Sequence, residues 1–362
     1  MTTRMMLNVK NNDTLDTVRD FLKSLLELRV VEMLLVPLEV PTADRVTPIL
    51  VQDPQDLNTA NPLAPVMRVN TAAVIARLQR GDGAHRIGAV LRPCELRATI
   101  ELAKYGRVNL DRLMLIGIDC MGTYESNDYA QIARASTRNQ SPTDEMLRWT
   151  RQGPIAPYRL RNACQMCEQF IPENADIAID LVGMNVRERL MIEARDDLAE
   201  NLHLPVGDVS GRDKAVARLH LIRHHRREKA TTDAMQMLKD IPALLGLIAP
   251  CTACAECVES CPFCDTNAFT PKPAQEAHTD RLRDWPSGET WSARGHALGP
   301  IGDLIAWGRR AASCVQCGMC ESACPRDVPL TALQSVLGRR VQEEFHYIPG
   351  RSVTEKLPWA VA

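Results

Sequence analysis

One spacing pattern, written twice, constrains this chain more than anything else in it. Cys251, Cys254, Cys257 and Cys261 stand as C-x-x-C-x-x-C-x-x-x-C before Pro262, and Cys314, Cys317, Cys320 and Cys324 repeat that spacing before Pro325. Thiolates are the ligands that iron–sulfur clusters need. Three of them at two-residue intervals can wrap a loop around one cube, while the fourth, beyond a turn and before proline, points the other way and ligates the other cluster. The pairing expected is therefore crossed: Cys251, Cys254 and Cys257 with Cys324, and Cys314, Cys317 and Cys320 with Cys261. A zinc site is the alternative for either motif taken singly, but zinc sites close with two ligand pairs across a longer gap, and two complete copies weigh against it.

Between Cys261 and Cys314 lie 52 residues, far more than a minimal bacterial ferredoxin leaves. Leu304 to Ala312 and Leu330 to Glu344 have helical periodicity, and the whole resembles the helical di-cluster ferredoxin module of succinate dehydrogenase iron–sulfur subunits and heterodisulfide reductase C subunits. Cys264, the unpaired thiol, is expected to pack under the cluster loop rather than to ligate.

The other four cysteines lie upstream: Cys94 in RPCE, Cys120 in GIDCMGTY, and Cys164 with Cys167 in CQMCE. Arg86 to Leu91 and Arg112 to Ile118 are short apolar runs, and between them Leu96, Thr99, Ile100 and Ala103 recur at helical spacing. Together they predict a βαβ unit with two parallel strands. Cys94 then begins the crossover helix and Cys120 ends the second strand, so both emerge at the carboxyl edge, where open α/β sheets place their sites. A C-x-x-C knuckle arriving from the following loop supplies two more ligands. Four unrelated core cysteines are the plain alternative.

Elsewhere, Asp13 to Leu28 reads as an amphipathic helix, Val30 to Pro37 as a strand, Pro37 to Pro65 as a surface connection, and Thr71 to Gln79 as a short helix. Met121 to Arg161 is long, polar and turn-rich, a candidate lid or partner-binding segment. Ile177 to Val182 and Arg189 to Ala194 read as a strand pair. Asp213 to Lys239 is a helix whose His220, His224 and His225 lie among arginines and lysines, expected to form a solvated basic face. Gly81-Asp82-Gly83 reads as a turn, Pro271 to Gly299 as a polar connection, and no G-x-G-x-x-G follows a strand.

Thirteen cysteines without an evident signal peptide argue for reduced, metal-binding thiols over a secreted disulfide scaffold. Forty-three basic against 45 acidic residues leave a net charge of −2, so nothing asks for nucleic acid or an anionic membrane as partner. No run approaches the length of a membrane helix. A cytoplasmic chain without direct membrane insertion is expected.

The stretch RPCELRATIELAKYGRVNLDRLMLIGIDCMGTY, followed by CQMCEQFIPENADIAIDLVG, resembles the beta subunit family of deazaflavin (coenzyme F-420) hydrogenases and formate dehydrogenases, over roughly Pro62 to Ala194. Where that family tends to have a glycine in the strand ADIAID, this chain has Asp180. The resemblance implies an α/β core carrying FAD and one [4Fe–4S] cluster, the latter on Cys94, Cys120, Cys164 and Cys167. The flavin's phosphates would lie at the helix beginning at Cys94, with Arg92, Gly122 and Thr123 as the nearest cofactor-binding residues.

The expected fold is thus an α/β core with a partly parallel sheet (1–245), a C-terminal mostly helical 2[4Fe-4S] ferredoxin domain (246–340) and a tail (341–362) that wraps back. The expected function is an oxidoreductase beta subunit with three [4Fe–4S] clusters and FAD. It would pass electrons between a catalytic partner, of the formate dehydrogenase or hydrogenase type, and a soluble electron carrier such as a deazaflavin coenzyme. The other reading is a flavin-free adaptor in a heterodisulfide-reductase-like complex. An iron–sulfur regulator lacks a recognition helix.

Overall fold

The protein was analysed as a computed structural model, which describes residues 2–42, 44–80, 85–136, 141–152, 159–208, 211–264 and 310–358. Seven strands form one mixed sheet in the order β1-β7-β6-β5-β4-β2-β3. These are β1 (Thr2–Asn8), β2 (Met33–Glu39), β3 (Val46–Val51), β4 (Ile87–Leu91), β5 (Leu113–Ile118), β6 (Ile177–Asp180) and β7 (Arg189–Arg195). The central four, β2, β4, β5 and β6, run parallel, and the edges are closed by antiparallel pairs, β2 with β3 and β7 with β1. β5, LMLIGI, is buried at every position, as a parallel strand covered on both faces must be.

The βαβ unit is as expected: β4, then α3 (Pro93–Lys104), then β5 in parallel register, with Ile87 opposite Leu113. On one face of the sheet packs α1 (Thr14–Glu27), started by Asp13, whose carboxylate accepts the Asp16 N–H at 2.9 Å. Its Val18, Phe21, Leu22, Leu25 and Leu26 are buried, each contributing about 1.5–3 kcal/mol of burial. The other face carries α2 (Thr71–Leu78) and α3, and their apolar cluster also takes in Phe263 and Val315 from the two cysteine motifs. The cysteine-rich part is thereby packed on the same helices as the sheet.

Three expectations need correcting. Pro37 to Pro65 is not merely a connection, since it contains β3. Pro37 and Pro48 are register partners there, and Pro48 lies on the sheet's edge strand, where a missing N–H is tolerated. Met121 to Arg161 is not a bare loop either. It holds α4 (Ser126–Ala135) and α5 (Pro142–Gln152) and leads into α6 (Asn162–Gln165), with Tyr124, Tyr129, Met146 and Trp149 buried in a third apolar cluster.

The third concerns the basic helix, α8 (Arg212–Met237), which follows the short α7 (Asp196–Leu202). Arg212, Arg223 and Arg227 are buried there, not solvated, each paired with carboxylates or carbonyls that repay its desolvation. His224 donates or accepts at Glu168 at 2.6 Å and only stacks near His220. Beyond it come α9 (Ile241–Ile248), α10 (Glu256–Glu259), α11 (Met319–Ser322) and α12 (Leu330–Glu344). The turn at Gly81-Asp82-Gly83, the connection Pro271 to Gly299 and most of the helix expected at Leu304 to Ala312 lie outside the described residues. No described helix is long and apolar enough to cross a membrane.

The tail does wrap back. Tyr347 donates its hydroxyl to the buried Glu101 carboxylate of α3 at 2.6 Å, the Gly350 N–H donates to the same group at 2.9 Å, and Ser313 adds a third donor at 2.9 Å. Arg97, one turn earlier, gives its Nε–H to the Pro349 carbonyl at 2.9 Å.

Candidate metal centre

All thirteen cysteines are free thiols. Cys94 is the second residue of α3 and Cys120 lies two residues past β5, so the carboxyl edge of the sheet presents both. The CQMCEQF segment is brought to them by backbone bonds: the Cys120 N–H donates to the Phe170 carbonyl at 2.9 Å, and the Arg161 N–H donates to the Thr123 carbonyl at 2.9 Å. Gly122, at φ +116°, permits the close approach, because a Cβ there would meet Leu160 at 2.8 Å and Cys164 at 3.3 Å. Arg223 of α8 fastens both loops, donating to the Cys167 carbonyl at 3.2 Å, the Cys120 carbonyl at 3.3 Å and the Met121 carbonyl at 2.8 Å, with its guanidinium over the Phe170 ring.

The four upstream thiols thus form one group. Burial pushes the Cys94 thiol well above its ordinary value, and Glu95, Cys317, Cys120 and Cys167 push the same way. Burial raises Cys120 to about 11 against the nearby Arg92 charge. Burial also raises Cys167. Cys164 differs: burial would raise it too, but Arg161 and the Thr123 hydroxyl, 3.3 Å from its sulfur, bring it below the usual thiol value. Protons held this tightly leave when a metal takes their place.

The two downstream motifs share one backbone. Ala253 and Ala255 have φ of 55° and 64°, and at the matching places Gln316 and Gly318 have 58° and 72°. In each loop the N–H two residues on donates to the first cysteine sulfur at 3.4 Å, Ala253 to Cys251 and Gln316 to Cys314. α10 and α11 follow at the same offset. The neighbours are crossed: Cys261 lies within electrostatic reach of Cys317 and Cys314, and Cys324 within reach of Cys257. Burial raises Cys314 to about 12 and Cys317 with it. Cys251 and Cys254 are exposed. Cys264 bonds to the Cys261 sulfur, which holds it below the usual thiol value.

Four thiolates around one metal ion stand about 4 Å apart, given a metal–sulfur bond of about 2.3 Å. Among the described residues no three His, Cys, Asp or Glu side chains converge so tightly on one point. A cube of iron and sulfide holds its thiolates further apart, and the all-sulfur donor set with N–H groups aimed at the sulfurs fits such a cluster.

Three arginines around these thiols escaped sequence reasoning: Arg97, Arg161 and Arg223. For Arg223 a signal existed, since Leu219, Arg223, Arg227 and Thr231 recur every four residues and are all buried. Of the buried trio Asp119, Asp180 and Arg212, only Asp180 was singled out, and for its departure from the family rather than for its partners. Arg212 donates to Asp119 at 2.7 Å and pairs with Asp180 at 2.7 Å, while the Leu181 and Val182 N–H groups also donate to Asp119.

The residues expected to cradle FAD are committed elsewhere. Arg92 donates to the Ala64 and Val66 carbonyls at 2.6 and 2.9 Å. Thr123 serves Cys164 and Gly122 admits it. The α3 N-terminus, where a diphosphate was expected, is filled by the chain's own Glu95, which accepts from the Arg92 N–H at 3.0 Å and from the Thr71 N–H and hydroxyl at 3.0 and 2.6 Å. A second anion there would be repelled, so these residues do not fit the flavin phosphates. A small cleft of about 30 Å³ does lie at this edge, with Arg92, Asp119, Cys120, Gly122, Met146 and Leu181 in its lining.

Known proteins resemble the chain in both of its parts. Residues 84–203 match the family described as Coenzyme F420 hydrogenase/dehydrogenase, in the C terminus of its beta subunit, and residues 248–328 match the 4Fe-4S dicluster domain. The F420-dependent formate dehydrogenase subunit beta of Methanocaldococcus jannaschii is 24% identical over 322 residues, covering 75% of each chain. The F420-dependent formate dehydrogenase 1 subunit beta of Methanococcus maripaludis is 28% identical over 112 residues, 26% of this chain and 29% of that one. A chain of the F420-reducing [NiFe] hydrogenase complex from Methanosarcina barkeri superposes with a TM-score of 0.46 at 13% identity, over 66% of this chain and 94% of that chain.

Proposed function

Because residues 84–203 match the C terminus of the coenzyme F420 hydrogenase/dehydrogenase beta subunit and residues 248–328 match a 4Fe-4S dicluster domain, we propose that the chain is the electron-transferring subunit of an oxidoreductase complex, with three [4Fe–4S] clusters. Cys94, Cys120, Cys164 and Cys167 would hold the core cluster. Cys314, Cys317 and Cys320 with Cys261 would hold the second, and Cys251, Cys254 and Cys257 with Cys324 the third. Clusters supply one-electron traffic. The carrying observation is continuity: Cys120 lines the cleft, Cys94 lies within electrostatic reach of Cys317, and the thiols end at exposed Cys251 and Cys254. Such a row suits transfer between a carrier at the cleft and a partner at the other end.

The division of labour follows. Residues 1–245 would hold the core cluster, 246–340 a mostly helical two-cluster module, and 341–362 the tail that fastens them, in the cytoplasm. A catalytic partner of the formate dehydrogenase or hydrogenase type, as the relatives' names suggest, would supply or take the electrons, and a soluble one-electron carrier would meet them at the cleft; exchange with a deazaflavin coenzyme, which carries hydride, would require a flavin between it and the clusters. What the chain's own residues do is positional: Arg223 holds two ligand loops together, Glu95 fixes the start of α3 beneath Cys94, and Thr123 steadies Cys164.

The commitment of Arg92, Gly122, Thr123 and Glu95 favours the flavin-free adaptor over the FAD-bearing form. Anaerobic purification tests both levels. About twelve irons with matching acid-labile sulfide and no extractable flavin are expected. About eight irons would remove the core cluster, stoichiometric zinc would replace one cluster, and one FAD per chain would restore hydride exchange to this subunit.

A further inference from the structure

We infer that Arg161 is the cation shared by the core centre and the second centre, setting the reduction potentials of both and holding them together. This deepens the proposed function and rests on its assignment of clusters to those two cysteine groups.

Arg161 is 4% exposed. One terminal nitrogen lies 3.9 Å from the Cys164 sulfur and donates to the Cys317 carbonyl at 2.8 Å, so a single guanidinium nitrogen reaches a thiol of one group and the backbone beside a thiol of the other. The second terminal nitrogen donates to the Ser322 hydroxyl at 3.2 Å and to the Met319 sulfur at 3.3 Å, both on α11 within the second motif. Nε has no partner.

No carboxylate contacts Arg161 among these bonds. A buried guanidinium whose partners are thiols, hydroxyl and carbonyl keeps its full positive charge, and in surroundings of low dielectric that charge acts strongly on neighbours a few ångströms away. Each cluster gains one negative charge when it accepts an electron, and cluster potentials follow local charge and hydrogen bonding at sulfur. Arg161 therefore favours the reduced form of both centres, most of all the core centre through Cys164.

The test is a redox titration of the full chain, followed by electron paramagnetic resonance, with iron counted in every sample. Arg161→Gln with wild-type iron should lower the midpoint of the core centre most and that of the second centre less, leaving the third unmoved. Arg161→Lys should restore most of the loss. Ser322→Asp leaves Arg161 in place and sets a carboxylate beside it, so it should lower the same midpoints even where the Gln variant does not fold; Ser322→Asn should not. Unchanged midpoints in iron-replete Arg161→Gln or Ser322→Asp overturn the inference, as does an equal fall in all three centres. A wild-type chain without iron at the core centre overturns the reading beneath it instead.

Discussion

Gly318 sits so tightly on Ala163 that a Cβ on Gly318 would lie 2.5 Å from the Ala163 Cβ. The second cysteine loop is thereby seated on α6, the short helix that carries Cys164. Gly318→Ala combines this clash with a left-handed φ of 72°. It should cost about 1–2 kcal/mol for the backbone and about 1–3 kcal/mol for overpacking. Thermal unfolding should show the loss, and iron should fall first at the two centres that meet there. Wild-type stability in the Ala variant would mean the seat yields freely.

Crossed ligation has a direct consequence. Cys324 lies near Cys257 although its own motif begins at Cys314. Cys324→Ser should therefore damage the cluster of Cys251, Cys254 and Cys257, and Cys261→Ser that of Cys314, Cys317 and Cys320. Spectroscopy that found each variant harming its own motif's cluster would reverse the pairing.

The third expectation concerns backbone strain. Ala255 holds a φ of 64° where the second loop has Gly318, and an L-residue there costs about 1–2 kcal/mol. Ala255→Gly should raise the cluster-loaded chain's stability by about 1 kcal/mol, part of the gain being lost to the glycine's freer unfolded state. A fall in melting temperature would contradict it.

Asp180 makes stability depend on pH. Burial raises its carboxyl well above the ordinary 3.8, Asp119 and Glu193 add to the rise, and Arg212 and Arg4 only partly oppose it. One of its oxygens is buried without a hydrogen-bond partner among the described residues. A carboxyl raised on folding contributes stability that is full below its unfolded value and lost as pH rises through the folded one. Asp180→Asn should thus be more stable than wild type at about pH 7, with the gap closing towards about pH 4. A variant less stable at neutral pH would show that Arg212 keeps Asp180 charged.

What the sequence disclosed depended on whether a residue's partner lay nearby. RIGAVL and RLMLIGI read as parallel strands because both faces of such strands are apolar, and Asp13 ahead of Val18, Phe21 and Leu22 marked a helix start. Cysteine spacing carried the motifs, since a loop around a cluster is a local object. β1 and β3 were missed: they lie at the sheet's edges, where exposure breaks the pattern and Pro48 is tolerated. Arg161 and Arg223 were missed for a different reason. A buried arginine and a solvated one are the same letter, and what separates them is a carbonyl 156 residues away for Arg161 and 103 for Arg223. Arg92 drew attention through its place at the sheet edge, but only the distances show that it and Glu95 satisfy each other and the loop above.

The bond from Tyr347 to Glu101 spans 246 residues. At about 5–20 residues per second of synthesis, the helix that carries Cys94 waits roughly 10–50 s for the hydroxyl that completes it. During that interval the Glu101 carboxylate lacks the hydroxyl and the N–H that it accepts in the finished fold. Synthesis thus leaves the clasp on α3 for last: residues 347 to 350 reach Glu101 only after both cysteine motifs have been made.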